Sequence, residues 1–126
     1  MGPEFISIFT SIDGEVNMPI GDVNGIKLNY RFDGPEKGDV IMFSNSLSSD
    51  LTMWDCQIPR LSESGYSILR YDSRGHGRSS VPTGPYTMET LTLDVVALLD
   101  CLGLNKVHFC GLSLGGMVGQ MLGALH

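Results

Sequence analysis

Gly111-Leu112-Ser113-Leu114-Gly115-Gly116 follows a strand-like run at 106–110 and opens a helix-like run at 114–125 that carries Gly115, Gly116, Gly119 and Gly123. A G-x-S-x-G stretch in that setting reads as a tight strand-to-helix turn. Such a turn lifts the serine hydroxyl above the carboxyl end of a sheet, and the next backbone N–H and the helix N-terminus then face a developing oxyanion. Ser113 is therefore the candidate nucleophile, and the Leu114 N–H a candidate oxyanion donor. With 16 glycines in the chain, the pentapeptide alone would be weak evidence, and the flanking strand and helix give it weight. A serine also needs a base to take its proton.

Outward from that turn, apolar residues Met88, Leu91, Val95, Leu98, Leu99 and Leu102 recur at helical spacing, predicting a helix over 87–102 that Gly103 ends. Residues 66–71 are strand-like and lead into a polar, glycine-bearing loop, Asp72-Ser73-Arg74-Gly75-His76-Gly77-Arg78-Ser79-Ser80. Leu51, Trp54, Ile58 and Leu61 have helical spacing, with Pro59 either kinking the helix or marking a new first turn. Val40-Ile41-Met42-Phe43 is continuously apolar, as in a strand covered on both faces. Residues 17–23 and 26–32 flank Asn24-Gly25, a hairpin-turn dipeptide.

Two strands followed by repeated strand-helix units imply an α/β fold, with a mostly parallel twisted sheet and helices on both faces. The first five or so strands and three helices are expected, in a domain over 17–126. Residues 1–16 read as a flexible segment, within which Met1-Gly2-Pro3-Glu4-Phe5 looks like a cloning remnant outside the fold.

A chain of 126 residues supports one hydrophobic core. Its net charge of −6 and scattered Lys and Arg argue against nucleic acid. No apolar run nears the ~20 residues of a membrane span, and no secretory leader pattern is present, which predicts a cytoplasmic protein that does not bind membrane. Cys56, Cys101 and Cys110 lack C-x-x-C spacing and sit among apolar residues, so reduced packing cysteines are expected rather than disulfides or a metal site.

A second oxyanion donor is expected from the loop after the central strand, Ser44-Asn45-Ser46-Leu47, with the Leu47 N–H as candidate. Ser46 and Trp54, close by in sequence, are candidate substrate-binding residues, although a helical tryptophan can equally be core. Arg74 and Arg78 could bind a substrate carboxylate, but pairing with Asp72 or a neighbouring loop is the stronger expectation. A solvated helix face accounts for Asp94 and Asp100.

Tyr71 to Ser79 resembles the D-x-R-G-x-G-x-S loop of the α/β-hydrolase superfamily, and Gly111 to Gly116 resembles its nucleophile elbow. More narrowly, Ser44-Asn45-Ser46-Leu47, Met53-Trp54-Asp55, Gly84-Pro85-Tyr86-Thr87 and His108-Phe109-Cys110-Gly111-Leu112-Ser113 resemble the 3-oxoadipate enol-lactonases. Ser48 departs from that pattern, which has glycine there. The resemblance covers 20–126 and implies the amino-terminal half of such an enzyme. It implies cofactor-free hydrolysis of a lactone or small ester through an acyl-enzyme on Ser113. It also implies an Asp and a His beyond this chain, in a complementary carboxyl-terminal segment, so that the chain alone would be inactive.

No local histidine replaces them convincingly. The His76 loop is structural in the resembling family, His108 lies within a strand, and His126 is ~18 Å of helix rise from the turn. Alternatives keep the fold with acyl-homoserine lactonase, carboxylesterase or acyltransferase chemistry, or a non-catalytic ligand-binding role. Dehalogenase and epoxide-hydrolase relatives are disfavoured, since their nucleophile is an aspartate.

Overall fold

The computed structural model describes residues 19–126. The expected flexible segment 1–16, and residues 17 and 18 of the first predicted strand, lie outside the described residues. Strands β1 (Ile20–Val23) and β2 (Ile26–Asp33) form the hairpin. Asn24 and Gly25 both have positive φ (47° and 78°), as a type I′ turn requires. Then follow β3 (Val40–Ser44), a 3₁₀ turn (Leu51–Trp54), α1 (Ile58–Glu63), β4 (Ser67–Tyr71), α2 (Met88–Cys101), β5 (His108–Gly111) and α3 (Leu114–Leu125).

The helical spacing over 51–61 resolves into two pieces, because Pro59 has no N–H and would clash with a preceding turn. Proline is tolerated only in a first turn, where α1 places it. α2 is capped as its sequence indicates: the Thr87 hydroxyl accepts from Thr90 N–H, and Gly103 leaves the helix at φ 67°.

The sheet order is β1-β2-β4-β3-β5. β3, β4 and β5 are parallel, whereas β2 runs antiparallel to both of its neighbours. Every residue of β4 is buried, because β2 and β3 flank it and helices cover both faces. On one face Leu28, Met42 and Leu69 meet Val95, Leu98 and Val118 of α2 and α3. On the other, Phe43 and Ile68 meet Trp54, with Ile58 and Leu61 of α1 packed against them. Alternation along β3 and β4 sends neighbouring residues to opposite layers.

Two expectations need correction. The three cysteines are free but all exposed, so none is a packing residue. Apolar neighbours in sequence did not translate into burial, because Cys110 lies on β5 at the end of the strand order and Cys101 faces outward at the end of α2. Asp94 is buried, not solvated, for reasons given below.

Candidate active site

Ser113 is exposed and adopts φ 54°, ψ −114°, a left-handed backbone in which a non-glycine residue is strained. The strain is held in place by close packing on both sides. A Cβ on Gly111 would run into the Gly115 carbonyl and Gly116 N, and one on Gly115 would run into the Ser44 carbonyl. Glycine at these positions lets α3 start directly against the ends of β3 and β5. Leu112 N–H donates to Ser44 O (3.2 Å), and Gly115 N–H closes the turn onto Leu112 O (3.0 Å).

Because Ser44 pairs with Gly111 in the parallel register, the loop after β3 and the turn after β5 leave the sheet side by side. Leu47 and Ser113 are therefore brought to the same end of the sheet. Among the described residues, neither the Leu47 N–H nor the Leu114 N–H donates to a protein group. Backbone donors left unpaired beside an exposed hydroxyl are what an oxyanion site requires.

The loop carrying Leu47 is anchored from below. Asn45 is buried, donates from Nδ2 to Tyr71 O (2.8 Å) and accepts at Oδ1 from the Trp54 indole N–H (2.7 Å). Trp54 is only 8% exposed and its ring lies 4.5 Å from that of Phe43, so the structure places it beneath the loop in the core. Ser46 is half-buried, with its Oγ 3.8 Å from Met53 Sδ. The Ser44 and Tyr71 hydroxyls are 2.7 Å apart, and burial pushes the Tyr71 phenol up to about 12. Arg70, buried under the same region, donates to Leu51 O, Asp55 and Asp33, fixing the 3₁₀ turn to the sheet.

The polar loop after β4 is consumed internally. Asp72 accepts from Leu51 N–H and Asn29 Nδ2 (both 2.8 Å) and from Arg78 N–H (2.9 Å). Ser79 accepts from Asn29 N–H and donates to Asp72 O. Arg74 forms a two-pronged pair with Asp94 of α2, at 2.9 Å through both Nε and the terminal nitrogen. Its partner is thus Asp94 rather than Asp72, and these hydrogen bonds raise the Arg74 pKa further. Asn24, in the hairpin turn, donates to the same carboxylate (2.9 Å), which explains its burial. Sequence periodicity could not reveal this, since the partners lie 20 and 70 residues away.

None of the three histidines presents a free ring nitrogen to Ser113. His76 Nε2 accepts from Ser48 N–H (3.0 Å), and its Nδ1 lies 3.0 Å from Arg74 O. His108 starts β5, at the end of the strand opposite the turn, with its ring 6.4 Å from that of Tyr66. His126 follows the far end of α3. Ser48, where the resemblance has glycine, sits at φ 59°.

A family model described as the alpha/beta hydrolase fold matches residues 39–126. The chain is 46% identical over 101 residues to 3-oxoadipate enol-lactonase 2 of Acinetobacter baylyi, covering 80% of this chain and 37% of that protein. Among solved structures, the enol-lactonase from Burkholderia xenovorans matches with a TM-score of 0.83 and 49% identity, over 86% of this chain and 42% of that one. An epoxide hydrolase from Vigna radiata matches with a TM-score of 0.81 and 32% identity, over 86% and 35%. The chain thus spans less than half the length of these relatives.

Proposed function

The chain belongs to the alpha/beta hydrolase fold family, and on that premise we propose that it forms the nucleophile-bearing part of a serine hydrolase of the 3-oxoadipate enol-lactonase kind. The observation that carries this reading is Ser113, exposed at φ 54° between two glycines whose Cβ positions are filled by backbone. A strained, exposed hydroxyl on a rigid turn is suited to attack and has no evident structural use.

In this reading, Ser113 Oγ attacks the lactone carbonyl carbon. Its proton passes to a histidine, and the carbonyl oxygen becomes an oxyanion between the Leu114 and Leu47 N–H groups. Collapse breaks the bond to the ring oxygen, which takes the proton, and the opened acid stays esterified to Ser113. Water then attacks the ester, gives a proton back through the histidine, and releases the serine. Ser46 lines the pocket, while Trp54 supports it from beneath.

The histidine and the acid that orients it come from a complementary carboxyl-terminal hydrolase segment, since the local histidines are otherwise bonded or distant. The reaction needs no cofactor, and the enzyme would work in the cytoplasm.

The test is to assay the chain alone and co-folded with the carboxyl-terminal part of the Acinetobacter enol-lactonase, on enol-lactones, acyl-homoserine lactones and nitrophenyl esters. Turnover is expected only in the co-folded pair, fastest on enol-lactone and abolished by Ser113→Ala. Activity of the chain alone, or full activity of Ser113→Ala, would overturn the proposal. Preference for another ester or lactone would move it within the family.

A further inference from the structure

Three contacts, at intervals of three residues, stitch the loop that carries Leu47 to the end of β4 and the loop after it. Asn45 Nδ2 donates to Tyr71 O, Ser48 N–H to His76 Nε2, and Leu51 N–H to Asp72 Oδ1. The outer two are buried, and they hold the ends of the loop. The middle one is exposed, and it acts on the peptide adjoining the one that bears the Leu47 N–H.

Ser48 has φ 59°, a conformation that strains a non-glycine residue. Something must hold it there, and its own N–H bond to His76 is positioned to do so.

The imidazole is itself fixed. An Nε2 that accepts from an N–H leaves the proton on Nδ1, which then donates to Arg74 O. Arg74 is locked by its paired hydrogen bonds to Asp94 on α2. A rigid helix thus sets the histidine, and the histidine sets the loop.

We infer that His76, as the neutral Nδ1–H tautomer, is a positioning residue that holds the Leu47 N–H in line with Ser113. This rests on the reading of Leu47 as an oxyanion donor. It gives His76 a part in the reaction without contact with substrate or proton transfer.

The experiment uses the chain co-folded with the complementary segment and compares His76→Phe, which keeps a ring but has no acceptor, with His76→Gln, which offers a side-chain oxygen. Losing an oxyanion donor outright lowers kcat by about 10²–10³, so a displaced one should lower it by about tenfold. For His76→Phe we expect that fall in kcat with KM within about twofold, an unchanged melting temperature, and faster hydrogen exchange at the Ser48 amide. His76→Gln should restore most of kcat and of the protection.

Wild-type kcat in His76→Phe, or no change in Ser48 exchange, would overturn the inference. So would kcat, KM and melting temperature declining together, which marks a purely structural histidine. If the wild-type pair has no lactone turnover, the functional reading fails on its own, and Ser48 exchange still decides whether His76 holds the loop.

Discussion

Two regions at the carboxyl end of the sheet treat their polar groups in opposite ways. In 72–80, Asp72, Arg74, His76 and Ser79 each bond to another part of the chain, Ser79 by accepting from Asn29 N–H. At 112–114 and around Leu47 the reverse holds: a hydroxyl is exposed, two N–H groups have no partner among the described residues, and Ser48 and Ser113 have positive φ. Saturated polar groups build a scaffold, whereas unsatisfied ones beside strained backbone are available for chemistry.

The sharpest way to break this contrast is at Ser113. Ser113→Gly removes the hydroxyl and relieves the positive φ, so turnover of the co-folded pair should fall by at least about 10⁴. The ψ of −114° lies outside the αL well, so the strain relieved, about 1–3 kcal/mol, exceeds what glycine's extra freedom in the unfolded chain costs, and stability should rise by about 1 kcal/mol in a denaturant titration. A loss of stability would show that the turn is not strained.

In the scaffold loop the expected sign is opposite. Asp72→Ala strands the Leu51 and Arg78 N–H groups and Asn29 Nδ2, at about 1–3 kcal/mol each, so a loss of some 4 kcal/mol is expected. Asp94→Ala leaves the Arg74 guanidinium, 12% exposed, without its anion and should cost about 3 kcal/mol. Both read out as a lowered urea midpoint, and a neutral Asp94→Ala would show that the pair contributes nothing.

The smallest effect belongs to Ser48→Gly. Relief of the left-handed backbone is offset by the greater freedom of glycine in the unfolded chain, so the stability from a urea titration should change by less than about 1 kcal/mol. A larger loss would mean that the Ser48 side chain supports the loop.

The same contrast explains what could be read from the sequence. The hairpin at Asn24-Gly25, the stripe and cap of α2 and the turn at Ser113 are written in residues close together in the chain, and each formed as expected. Asp94 was misread because its burial depends on Arg74 and Asn24 arriving from two distant loops. Trp54 was ambiguous because its spacing suits both core and pocket, and the indole bond to Asn45 depends on how the loop folds back. The Ser48–His76 bond had only a weak trace, a serine in place of glycine at a left-handed position.

The Ser44 carbonyl has a wider consequence. It accepts the Leu112 N–H and is the surface against which Gly115 rests, while its own chain continues directly into the loop of Leu47. Nucleophile and donor loop are mounted on one peptide unit. When the sheet flexes at that end, the two should move as a pair, so thermal motion displaces the group without opening the gap between its members.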